Sequence, residues 1–173
     1  GRQISKAEIP GPMKDDQLTP RMTQTAKGLW AVYFTLTAAC FASYWMAGMP
    51  WLDALIHSFT TLSLGGFSSH DQSIGYFDSI PVEVVAIVFM TLAGINSATH
   101  FRMWMTRSFA AARSDTELPY YLAVLAVSVI GITVFLWLTG VYPDLGTALR
   151  YAAFNTISVA TNTGYSTVDY ASW

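Results

Sequence analysis

Three stretches of the chain carry no Asp, Glu, Lys or Arg: 28–52, 84–101 and 118–143. Each is near or above the roughly 18–20 apolar residues that cross about 30 Å of hydrocarbon, so each predicts a membrane-spanning helix. The third has a start signal, with Ser114 and Glu117 at capping-box spacing and Pro119 in the first turn. Between and after these spans lie two mixed stretches, from Pro50 to Asp78 and from Pro143 to Trp173. Each opens with a short helical segment, Leu52–Thr61 and Gly146–Ser158, and then breaks into Gly, Ser and Thr. Apolar segments this short read as re-entrant rather than spanning.

Composition supports a membrane location. The chain is 53% hydrophobic and 12% charged, where a soluble domain carries about a quarter charged residues; the mean hydropathy is +0.38. A net charge of −2 gives no reason to expect nucleic acid as a partner. Cys40, the one cysteine, lies in an apolar run and reads as a small buried filler. Arg2, Lys6, Lys14, Arg21 and Lys27 precede the first span, and Arg102, Arg107 and Arg113 follow the second. The positive-inside rule puts both groups in the cytoplasm, so both re-entrant stretches dip in from outside. Arg150 is the exception, and its long stem suits snorkelling to the outer surface.

The order span, re-entrant loop, span, then span, re-entrant loop is an internal repeat, and the loops share a motif. F-x-T-[LI]-S occurs at Phe59–Ser63 and Phe154–Ser158, and G-[FY]-S-[ST]-x-D at Gly66–Asp71 and Gly164–Asp169. The gap between the two halves is three residues longer in the second loop. Transport proteins are often built from such repeats. No closing span follows the second loop, and a re-entrant loop exposed to lipid is costly, so the chain reads as a piece of a longer protein.

These residue types suit a desolvated monovalent cation. Channel filters replace its water with backbone carbonyls, and glycine reaches the dihedrals that turn carbonyls to one side; Gly65, Gly66 and Gly164 fit this. The C-terminal end of each short helix carries about half a negative charge, pointed at the membrane centre. Phe67 and Tyr165 can pack behind the loops. Asp71 and Asp169, just outside, either raise the local cation concentration or cap a following segment. Asn96 and His100 share a face of the second span and either line an inner cavity or bond to neighbouring helices. His57 reads as a tie between its short helix and the surroundings. The chain has no HExxH, GxSxG or Walker A motif and no acid pair placed in a helix core, which argues against an enzyme.

The loop sequences 63–71 and 160–167 resemble the filter loops of the TrkH/TrkG potassium-uptake family, whose relatives include KtrB and the HKT transporters. Ala7–Pro12 and Gly75–Asp78 also resemble that family. The resemblance covers nearly the whole chain. It implies an all-α membrane protein with helix–pore-loop–helix repeats, re-entrant pore helices and filter loops, four repeats surrounding one pore. This chain would hold repeat two and part of repeat three.

In the implied layout, residues 1–27 are a cytoplasmic linker. Residues 28–106 are the second repeat, with spans at about 28–49 and 81–104, pore helix 52–62 and filter 63–68. Residues 107–118 are a second linker. Residues 119–173 are the incomplete third repeat, with span 119–141, pore helix 146–158 and filter 160–166. The resemblance implies a K⁺ filter at Leu64, Gly65, Gly66 and Phe67 and at Asn162, Thr163, Gly164 and Tyr165. K⁺ is the transported ion and no organic cofactor is implied. The implied setting is the bacterial inner membrane, as a homodimer with a cytoplasmic nucleotide-binding subunit of TrkA type. The basic segments Lys14–Lys27 and Arg102–Arg113 would lie on that subunit's side. A sodium-conducting, HKT-like transporter is the alternative, and a filter residue outside this chain discriminates the two.

Overall fold

The computed structural model describes residues 12–108 and 115–173. These residues form α-helices and short 3-10 turns, with no strand among them. The helices are α1 (Pro12–Met46), α2 (Trp51–Leu62), α3 (Ile80–Ala93), α4 (Ser97–Thr106), α5 (Glu117–Leu138) and α6 (Leu145–Ala160). The 3-10 turns are Ser73–Phe77 and Tyr170–Ser172.

The membrane-length helices are the apolar part of α1, Thr25–Met46, and α5, each 22 residues and so about 33 Å long. Helix α5 buries only Leu125, Thr133 and Leu136, and exposes Val124, Val127, Ile130, Val134 and Phe135. A helix apolar on all sides is at home in lipid or against other apolar helices. Ser114 lies outside the described residues; at the start of α5 the Asp115 Oδ1 accepts from the backbone N–H of Glu117 at 2.9 Å and of Leu118 at 3.4 Å.

The stretch read as one span over about 81–104 is divided. Helices α3 and α4 meet at a 90° bend across Gly94, Ile95 and Asn96. Asn96 caps α4, its Oδ1 accepting from Ala98 N at 2.9 Å. His100 Nε2 reaches the carbonyl of Leu92 at 2.8 Å, which also accepts from Ile95 N at 3.1 Å at the end of α3. The hydroxyl of Thr99 donates to Asp115, tying α4 to the start of α5. Gly94 sits where an added Cβ would meet the Tyr121 hydroxyl, so the break lies in close contact with α5.

The repeat is visible in the backbone. Helix α1 ends with Gly48 at φ +96, with Met49 N bonded to Tyr44 O and Gly48 N to Trp45 O. Helix α5 ends with Gly140 at φ +73 and the same two bonds, Val141 N to Leu136 O and Gly140 N to Trp137 O. Both are Schellman motifs, which reverse the chain and satisfy the last carbonyls. A short helix follows each time, α2 after Pro50 and α6 after Asp144, whose carboxylate accepts from Thr147 N at 2.9 Å and Thr147 Oγ1 at 2.6 Å.

The main core gathers α1, α2, α3 and α6 around Cys40, Tyr44, Ala54, Ile74, Ala86, Met90, Phe154 and Tyr165, all at most 1% exposed. A smaller cluster, Leu136, Ala148 and Ala152, packs α5 on α6.

Gly140 and Gly131 separate backbone strain from packing, since an added Cβ has open space at both. Gly140→Ala forces a side chain into the left-handed region and is expected to cost about 1 kcal/mol. Gly131→Ala, inside α5, is expected to add about 0.5–1 kcal/mol. Thermal melting of the purified full-length parent in detergent checks both signs.

Candidate functional site

The two short helices end alike. Helix α2 passes through Ser63 to Leu64 at φ +52, with Leu64 N bonded to Thr61 O at 3.2 Å and Gly65 N to Thr60 O at 2.8 Å. Helix α6 passes through Thr161 to Asn162 at φ +61, with Asn162 N bonded to Val159 O at 3.0 Å and Thr163 N to Ser158 O at 2.8 Å. Each is again a Schellman motif, here built on a non-glycine residue. Two residues later the φ is positive again, +65 at Gly66 and +87 at Gly164. The loops therefore correspond as Ser63 with Thr161, Leu64 with Asn162, Gly65 with Thr163, Gly66 with Gly164 and Phe67 with Tyr165.

This register bears on two sequence readings. Positive φ falls on Leu64 and Gly66, not on the adjacent pair Gly65 and Gly66. Asn at such a position is common, whereas Leu is not, and nothing in the local sequence marks Leu64. The F-x-T-[LI]-S halves of the motif do not superpose at the helix ends. The three extra residues of the second repeat are taken up inside the helix, because α6 has 16 residues and α2 has 12, about one more turn.

Among the described residues, no donor reaches the carbonyls of Leu64, Gly65 and Gly66 or of Asn162, Thr163 and Gly164. The row stops at Tyr165, whose carbonyl accepts from Ser158 Oγ at 2.7 Å. The loops touch: a Cβ on Gly66 would run into the carbonyl of Thr163, while one on Gly164 would meet nothing. Gly75 N also bonds to Ser166 O at 3.1 Å, and Ser166 N to Ser73 Oγ at 3.3 Å.

The aromatic residues differ. Tyr165 is 1% exposed and lies on the C-terminal turn of α2. Its hydroxyl bonds to Thr60 Oγ1, to Thr61 Oγ1 at 3.2 Å and to the carbonyl of His57 at 3.3 Å. Thr61 Oγ1 in turn bonds to Tyr44 OH at 2.9 Å. Phe67, at the matching place, is 74% exposed, its ring lying beside Gly65.

The outer limb of each loop is tied to its own helix by one side chain at the same helical position. His57, fully buried, places Nε2 2.9 Å from Ser68 Oγ and Nδ1 2.7 Å from the Asp53 carbonyl. Asn155 Nδ2 donates to Thr167 Oγ1 at 3.0 Å, and its Oδ1 accepts from Thr167 N at 3.3 Å. The Asp53 carboxylate accepts from Ser69 Oγ at 2.7 Å and lies 3.4 Å from His70 Nε2. The Ser69 hydroxyl, aided by His70, holds that carboxyl below the usual carboxylate range. Nothing in the sequence pointed to Asn155, although its equivalence with His57 follows once the helix ends are superposed.

The other predicted residues are placed as follows. Asp71 is exposed. Asp169 is exposed and caps the last 3-10 turn, accepting from Ala171 N at 3.1 Å. Asn96 and His100 serve the α3–α4 break; His100 also borders a groove of about 450 Å³ lined by Leu29, Tyr33, Leu36 and Ser97. Arg150 differs from its reading as a snorkelling residue. It is folded inward onto Glu83 and Asp78, its side chain 24% exposed. Of the basic segments, Arg2, Lys6 and Arg113 lie outside the described residues.

Membrane-length helices leading through tight glycine turns into short helices and adjoining loops define an all-α membrane protein built of helix–loop repeats. The family model described as TrkH, cation transport protein, matches residues 1–173, and the chain belongs to that family. It is 44% identical over 173 residues to the Trk system potassium uptake protein TrkH of Halomonas elongata. It is 40% identical to the protein of the same name from Escherichia coli K12. All of this chain and 36% of each relative are covered, so the chain spans about a third of their length. The crystal structure of the potassium transporter TrkH from Vibrio parahaemolyticus superposes with a TM-score of 0.84 at 34% identity, covering 89% of this chain and 33% of that one.

The asymmetry between the loop glycines is testable. Gly66→Ala is expected to lower the yield of folded full-length parent more than Gly164→Ala, because the first drives a Cβ into a neighbouring carbonyl and the second meets backbone strain alone. Fluorescence-detected size-exclusion chromatography of the two variants reads the difference.

Proposed function

We propose that this chain supplies two of the filter loops of a Trk-type potassium-uptake subunit in the bacterial inner membrane. The carbonyls of Leu64, Gly65 and Gly66 and of Asn162, Thr163 and Gly164 replace the water of a passing K⁺. The observation that carries this reading is the pair of adjoining loops with one dihedral pattern and three unpaired carbonyls each. A desolvated cation is the partner such a cluster of oxygens lacks. The C-terminal ends of α2 and α6 lead into these adjoining loops, and the dipole at each end favours positive charge. Kinship to proteins named for potassium uptake supports the choice of ion.

On this reading residues 28–106 are the second repeat and 119–173 the start of the third, with 1–27 and 107–118 on the cytoplasmic side. Phe67 and Tyr165 belong to the filter as packing residues, and Asp71 and Asp169 form the outer rim. Asn96 and His100 lie toward the inner cavity. The whole protein works as a homodimer with a cytoplasmic nucleotide-binding, TrkA-like subunit and performs transport, not catalysis.

The test is ⁸⁶Rb⁺ uptake by the full-length parent in membrane vesicles, with and without excess Na⁺, comparing wild type with Gly164→Ser. Uptake that resists Na⁺ in the wild type and loses that resistance in the variant is the expected result. Absence of Rb⁺ uptake in the wild type, or a variant as Na⁺-resistant as wild type, overturns the assignment.

A further inference from the structure

Arg150 joins three elements that are far apart in sequence. Its Nε donates to Glu83 Oε2 at 2.9 Å and its Nη2 to Glu83 Oε1 at 2.7 Å, a two-bond fork. The same Nη2 donates to Asp78 Oδ1 at 2.8 Å. Glu83 stands in the first turn of α3 and is 3% exposed, whereas the Asp78 side chain is 80% exposed. Without Arg150, Glu83 would be an ionised carboxylate buried with no cation among the described residues, a costly state.

The consequence reaches the second loop. That loop is bound to α6 at its inner end by the Schellman bonds and at its outer end by Asn155 and Thr167, so helix and loop form one unit. The unit meets the first repeat through Tyr165 on the α2 terminus, through Ser166 on Ser73 and Gly75, through Phe154 and Ile157 in the main core, and through Arg150 on Glu83. Tyr165 lies at the level of the carbonyls, and Arg150 lies more than two turns back along α6. Among these attachments the Arg150–Glu83 fork is the ion pair, and it holds α6 at a level remote from the carbonyls.

We infer that Arg150 and Glu83 are positioning residues that hold the Asn162–Gly164 carbonyls at the spacing from the Leu64–Gly66 carbonyls on which discrimination between K⁺ and Na⁺ depends. The inference rests on the potassium-filter reading above. The geometry assigns the fork to Glu83 rather than to charge at the outer surface. Asp78, solvent-exposed and bound through one atom, is dispensable.

The experiment measures ⁸⁶Rb⁺ uptake by full-length parent protein in vesicles, normalised to the amount of folded transporter. It reads the Na⁺ concentration that halves uptake, along with the KM and maximal rate for Rb⁺. Arg150→Gln and Glu83→Gln are each expected to lower the half-inhibiting Na⁺ concentration by about tenfold, as loose support of a binding constellation does. Asp78→Asn is expected to match wild type. Arg150→Lys keeps the charge without the fork and is expected to fall between. The exchange pair Arg150→Glu with Glu83→Arg is expected to recover Na⁺ resistance relative to either Gln variant. A purely structural role would reduce the amount of folded protein and leave the half-inhibiting Na⁺ concentration unchanged, which overturns the inference. Should the Gln variants fail to accumulate, Arg150→Lys decides: raised Na⁺ sensitivity supports the inference and wild-type sensitivity overturns it. Failure of the wild type to take up Rb⁺ removes the filter reading and this inference together. Wild-type uptake with unaltered selectivity in the variants removes this inference alone.

Discussion

The contact on which the arrangement depends is the seat of Tyr165 on the last turn of α2. Polar groups inside a membrane need partners within the protein, because hydrocarbon offers none. The Tyr165 hydroxyl meets Thr60, Thr61 and the His57 carbonyl, and Tyr44 completes the group from α1. This buried network joins α1 and α2 to the second loop. It also places that loop so that Thr163 lies against Gly66. Phe67, the counterpart of Tyr165 in the first loop, has no hydroxyl and lies exposed.

The repeat is conserved in its hydrogen bonds more than in its side chains. Schellman turns close α1 and α5 on glycine and α2 and α6 on Leu64 and Asn162, with the same bonds each time. Leu64 takes a left-handed conformation that costs a non-glycine residue about 1–2 kcal/mol. The surrounding packing holds it there. The outer limbs are tied by different chemistry at the same position, imidazole to serine in one loop and amide to threonine in the other. A common backbone path with variable anchors is the expected outcome when function is carried by main-chain oxygens.

Much of this was legible in the chain. The charge-free runs marked α1 and α5, and the shared Gly-aromatic-Ser motif marked the two loops and their correspondence from Gly66 to Asp71. Other features were hidden for identifiable reasons. The 90° break between α3 and α4 lies inside a charge-free run, so a count of charges passes over it. Gly94 and Asn96, a small residue and an N-cap type, were the signal that could have found it. The extra turn of α6 looked like a gap in the motif because a helix absorbs inserted residues without any compositional trace. Arg150 read as a surface cation because its partners lie 67 and 72 residues away.

What the sequence determined by itself is therefore the local grammar: which segments are apolar enough to cross lipid, where the chain turns, and which loops repeat. Hydropathy, helix-breaking residues and motif spacing act over a few residues and can be read along a line. Only the tertiary structure decided which loop abuts which, that Glu83 is buried and answered by Arg150, and that Tyr165 rather than Phe67 is enclosed. Those outcomes come from the cost of burying a charge or hydroxyl without a partner. Here that partner is supplied by a different helix, which no local pattern specifies.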